Sequence, residues 1–97
     1  MEPDAVKFMQ TRDTLEAQAA SSEGRDRDAA RLELAQFLLA NKMAYEALGV
    51  LRVLEAELRS QDLTKQMRMT QAIANVMAGR PREALQALNA SAAAQEI

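Results

Sequence analysis

Asp26-Arg27-Asp28 sets two carboxylates two positions apart, the way a calcium-binding loop begins. The residues after Asp28 supply neither the turn glycine nor further oxygen ligands at loop spacing. The two acids therefore read as helix caps, with Asp26 or Asp28 preceding a helix whose first turn begins near Ala29. The other carboxylates are dispersed. Glu55 and Glu57 fall on different faces of one helical stretch, and Glu46 sits at a helix start. The chain has no histidine and no cysteine. That removes most general bases, nearly all zinc sites and the usual nucleophile–base pairs. No glycine-rich phosphate loop is written anywhere. The expectation is a chain that is not an enzyme and that takes no cofactor and no metal.

Arg80 and Arg82 offer another chemistry, contact with phosphate, if residues 71–90 form a DNA-binding helix–turn–helix. The recognition helix would then be EALQALNASAAA, which offers small apolar side chains and few groups that read bases. Acids and bases are interspersed and the net charge is −2, so no basic face is written for nucleic acid. No apolar run approaches the ~20 residues that span a bilayer. The N-terminus lacks the apolar centre of a signal peptide. Neither nucleic acid nor membrane insertion is expected, and the compartment is left open.

The elements follow from composition and punctuation. Ala and Leu dominate the apolar residues, β-branched residues are sparse, and there are 3 Gly and 2 Pro in 97 residues. This composition predicts an all-α fold. Glu2-Pro3-Asp4 opens a leading helix over 4–20, with Phe8, Leu15 and Ala19 near one face. Ser21 to Gly24 breaks it. RLELAQFLLA is apolar nearly all round, so that helix must be covered on more than one side. Asn41 suits a left-handed helix end. The next helix spans about Ala44 to Arg59, striped by Leu48, Leu51, Leu54 and Leu58. Another runs from about Leu63 to Ala78. Gly79-Arg80-Pro81 turns the chain into a last helix, from Arg82 to about Ala90. The tail 91–97 is either its frayed extension or the start of a further helix.

Two stretches echo one another. KMAYEALGVL at 42–51 and GRPREALQAL at 79–88 share Glu-Ala-Leu and a later leucine at a shift of 37. Twelve positions before each Glu-Ala-Leu alanine stands another alanine, Ala35 before Ala47 and Ala72 before Ala84. Antiparallel helices approach closely only where side chains are small, so these alanines mark the crossings of two hairpins. Leu51 and Leu88 are expected to fill the wedge beyond each crossing. The units are 29–59 and 63–90.

Leu34-Ala35, Leu38, Ala47 and Leu51, with Ala72, Gly79, Ala84 and Leu88, resemble the tetratricopeptide repeat family over residues 29–91. The shift of 37 departs from the family unit of about 34 residues. The resemblance implies stacked antiparallel helix hairpins, an α-solenoid of about five helices within one domain, as a fragment of a longer array. It also implies scaffolding, in which a groove lined by the first helix of each hairpin binds a helical or extended protein segment, or in which the chain self-associates as a homo-oligomer such as a dimer. The groove positions would be Ala29, Leu32, Gln36 and Leu39, then Gln66, Met69, Ile73, Val76 and Met77. The competing reading makes the same stripe core, covered by the leading helix or by a second copy. The alternatives in function are a helical DNA-binding regulatory domain, or a structural segment of a larger enzyme or exported protein.

Overall fold

The computed structural model describes residues 3–95, with side chains described from 4 to 90. The protein is all-α. Among the described residues five helices occur in order: α1 Pro3–Ser21, α2 Gly24–Ala40, α3 Ala44–Glu57, α4 Thr64–Met77 and α5 Pro81–Gln95. A short 3-10 turn at Gln61–Leu63 leads into α4. No strand occurs among the described residues. Consecutive helices pack on one another through short connections, and α2 also touches α4. The α2 helix thus meets α1, α3 and α4, which is what its nearly continuous apolar surface requires.

The core runs through the first four helices. Leu15 of α1, Leu32, Leu34, Leu38 and Leu39 of α2, Leu51 and Leu54 of α3, and Met67 and Ala74 of α4 form one buried cluster. Phe8 stacks on Phe37 with ring centroids 5.2 Å apart and seats α1. Ala35 and Ala47 are completely buried within this cluster, as close crossing at alanine demands. Ala72 and Ala84 are buried likewise, in a small separate cluster completed only by Ala87.

The two hairpin turns repeat bond for bond at the shift of 37. Lys42 has φ 63° and Gly79 has φ 76°, both left-handed. The Met43 N–H donates to the Leu38 carbonyl at 2.9 Å, and the Arg80 N–H to the Asn75 carbonyl at 2.6 Å. The Lys42 N–H reaches the Leu39 carbonyl, and the Gly79 N–H the Val76 carbonyl. The next helix begins with the Ala47 N–H donating to Met43 and the Ala84 N–H donating to Arg80. A helix that ends with a left-handed residue and such a back-bond satisfies carbonyls that would otherwise be orphaned. The repeated phrase encodes this turn and the alanine contact beyond it.

Several boundaries differ from the sequence expectation. The α2 helix starts at Gly24, not near Ala29, and Glu23 is its first flanking residue. Asp28 therefore lies inside α2, and it caps the chain after α3 instead of its own helix. The left-handed residue is Lys42, while Asn41 has φ −100° and bonds the Phe37 carbonyl through its side chain. The α3 helix stops at Glu57. The α5 helix continues through the tail to Gln95. Glu2 and the last two residues of the tail lie outside the described residues.

Candidate interaction surface

Polar side chains fasten the helices at defined points. Asp28 is buried, and its Oδ2 accepts the backbone N–H of Arg59 at 3.1 Å and of Ser60 at 3.2 Å. These are the donors freed where α3 ends and the chain turns toward α4. Beside it, the Arg31 guanidinium donates to Glu57 at 2.6 Å, and Arg25 meets Asp62 at 2.7 Å. The Glu57 carboxyl is held below the ordinary carboxylate range by the Arg31 hydrogen bond and charge. The Asp62 carboxyl is held low by its hydrogen bond from Arg25. With the Arg27–Glu57 pair at 3.8 Å, four residues of the first half of α2 thus tie it to residues 57–62.

A second set joins α3 to the α4–α5 hairpin. Glu55 accepts hydrogen bonds from Arg68 and from the Gln71 amide, and Arg68 also donates to Gln71. The Tyr45 hydroxyl donates to the Ala78 carbonyl at 3.2 Å, with the Arg80 guanidinium over its ring. The first hairpin turn therefore holds the second. A groove of about 310 Å³ lies between α3, α4 and α5, with Leu48, Leu51 and Ala87 among its apolar residues. Of the charged residues that line it, Glu55 and Arg68 are paired with each other, and Arg52, Arg80 and Glu83 line it too. No cluster of three or more metal-ligating side chains occurs among the described residues. No helix of the described residues is long and apolar enough to cross a membrane.

The nine groove positions separate into two groups, apart from Ala29, which is half-buried against the core. Leu32 and Leu39 are buried core residues of α2, in one cluster with Met67 and Ala74 of α4. They present no surface to a ligand in this structure. Gln36, Gln66, Met69, Ile73, Val76 and Met77 are exposed. Met69, Ile73, Val76 and Met77 recur at the three- and four-residue spacing that puts them on one side of α4. Leu85 and Leu88 of α5 are exposed too, and sequence reasoning misses them as surface residues because their leucine spacing reads as core. Leu88, expected to fill the wedge beyond the second crossing, is exposed instead of enclosed. The outer side of the last hairpin therefore carries six large apolar side chains in water. Clustered apolar surface of this kind marks interaction sites more often than isolated exposed leucines do.

Comparisons with family models, with curated proteins and with solved structures give no match to this chain.

Proposed function

We propose that the chain is a non-catalytic protein-interaction module that buries the apolar side of α4 and α5 against a helical segment of a partner, another protein or a second copy. The observation that carries this reading is the exposure of Met69, Ile73, Val76, Met77, Leu85 and Leu88 on one hairpin. Unbranched methionines adapt to a partner's shape, and an amphipathic helix laid in such a surface is a recurring mode of recognition. Burying ~400 Å² of apolar area at ~25 cal/mol per Å² supplies a gross ~10 kcal/mol, from which the cost of association is subtracted. That is enough for specific binding without a polar code. The tetratricopeptide-like scaffolding role belongs to the same reading. It draws support from the two turns and two buried alanine pairs that recur at a shift of 37.

The test is light scattering coupled to size exclusion, on the wild type and on a variant carrying Met69→Glu and Ile73→Glu. Both positions are exposed, so the variant is expected to keep its helical circular dichroism. A wild type that associates or binds amphipathic peptides, with the variant inert, is the expected result. A variant that unfolds would make the stripe core and end this reading.

A further inference from the structure

The uncovered side of the last hairpin is a second copy of a contact the protein already makes internally. At the shift of 37, Met69 corresponds to Leu32, Val76 to Leu39 and Leu88 to Leu51. Leu32 is 3 % exposed, Leu39 8 % and Leu51 1 %, whereas Met69 is 44 %, Val76 63 % and Leu88 43 %. The residue types are equally apolar. What differs is the neighbour. The α2–α3 hairpin is covered by α4, which packs on both α2 and α3, while α5 is packed against α4. The α4–α5 hairpin has no such helix on it among the described residues.

Two substitutions within the repeat describe what covers it. Ile73 stands where the first hairpin has Gln36, which stays in water. At this position the uncovered face is therefore more apolar than the covered one. Lys65 stands where the first hairpin has Asp28, the carboxylate that seizes the turn after α3. Three turns of helix take about 11 residues, so Lys65 lies nearly in line with Val76 along α4, at the N-terminal end of the apolar stripe. Arg82 lies on the side of α5 next to Leu85, one turn before it. Both are exposed. From Thr64 to Ala90 the only acid is Glu83, which lines the opposite groove toward α3. Lys65 and Arg82 thus set two positive charges at the edge of the uncovered face, and Asp62, the acid nearest to Lys65 in the chain, is paired with Arg25.

The geometry points to an occupant of defined chemistry: an amphipathic helix of another protein, lying on α4–α5 as α4 lies on α2–α3, with an apolar stripe flanked by acidic residues that meet Lys65 and Arg82. This rests on the interaction-module reading and adds to it the docking mode and the charge of the partner. A second copy docked face to face would set Lys65 and Arg82 of the two copies in one interface, where like charges oppose association.

The experiment titrates the whole chain by calorimetry with two helical peptides. Both carry leucine at i, i+3, i+4 and i+7. One is flanked by glutamate and the other by lysine. The glutamate peptide is expected to bind about tenfold tighter at low ionic strength, with the ratio shrinking as salt is added. Lys65→Glu with Arg82→Glu is expected to reverse the order. Ile73→Glu and, separately, Leu88→Glu are expected to abolish binding of both peptides while the helical spectrum is kept. Equal binding of the two peptides would overturn the acidic partner and leave the module reading standing. Binding that survives both Ile73→Glu and Leu88→Glu would overturn the docking site. A dimer dispersed by Ile73→Glu would make a second copy the occupant, which overturns this inference and not the module reading. A monomer that binds neither peptide would overturn both.

Discussion

The Asp28 side chain accepts the backbone N–H of Arg59 at 3.1 Å, joining α2 to the end of α3 across 31 positions of chain. The same oxygen takes the N–H of Ser60. A helix C-terminus followed by extended backbone leaves donors that neither helix satisfies, and a buried carboxylate supplies the acceptor. Asp28→Ala is expected to cost about 2–3 kcal/mol, since hydrogen bonds to a charged group contribute more than neutral ones and two donors are left unpaired. Asp28→Asn, which keeps an acceptor of the same shape, is expected to cost less. Urea unfolding of both variants measures the difference. A loss within error for Asp28→Ala would mean that the turn finds water as readily as the carboxylate.

The turn residues predict a pair of opposite effects. Lys42 holds φ 63°, a conformation in which its β-carbon crowds the backbone, whereas Gly79 holds φ 76° without that penalty. Lys42→Gly is expected to stabilise the protein by about 0.5–1 kcal/mol, and Gly79→Ala to destabilise it by about 1 kcal/mol. A β-carbon at Gly79 would meet nothing within 4 Å, so the cost there is conformational and does not come from a clash with the rest of the fold. Melting temperatures of the two variants should therefore move in opposite directions. Movement in the same direction would remove the equivalence of the two turns.

How much of this is legible in the sequence depends on what each signal reports. The buried alanine pairs and the five helices follow from residue type and local spacing, which act over a few turns. An aspartate before an apolar run has the signature of a cap, and that signature puts the start of α2 too late. Asp28 instead bonds residues 59 and 60, partners that no local window contains. Leu32 and Leu39 read as groove residues because a helical wheel gives the angle of a side chain but not which neighbour covers that angle. Leu88 shows the converse. Its leucine phrase matches Leu51, yet among the described residues Leu51 alone has a further helix to bury it. Burial is a property of the stack, and the repeat encodes only the unit.

Acid should loosen the protein in a definite range. Glu57 and Asp62 are both held below the ordinary carboxylate range, by Arg31 and Arg25 respectively. A carboxyl held lower in the folded state contributes stability above its unfolded value and loses it as the pH falls through its folded value. Stability is therefore expected to be level from neutral pH down to about 5 and to decline below about 4. Both carboxylates are solvent-exposed, although Arg31 is half-buried, so added salt should weaken the effect. Urea midpoints at neutral pH and near pH ~3 are the measurement. A variant with Glu57→Gln and Asp62→Asn should start lower and show a shallower decline. An unchanged decline would assign the acid sensitivity to other carboxyls.

The equivalence of covered and uncovered leucines has a direct energetic consequence. Leu51 is enclosed by the core cluster, so Leu51→Ala removes methylenes that are fully out of water and leaves a cavity, at an expected cost of about 2–5 kcal/mol. Leu88 occupies the matching position of the second hairpin and is substantially exposed. Leu88→Ala is expected to change stability by no more than about 0.5 kcal/mol, as surface substitutions generally do. Paired unfolding curves at low and high protein concentration make the comparison informative twice over. A small effect at both concentrations describes a face open in the isolated chain. A cost at Leu88 that grows with concentration would instead report burial against a second copy, because a bound partner adds to apparent stability by mass action. A cost at Leu88 equal to that at Leu51 and independent of concentration would mean that the chain itself covers this side, and the open face would not exist.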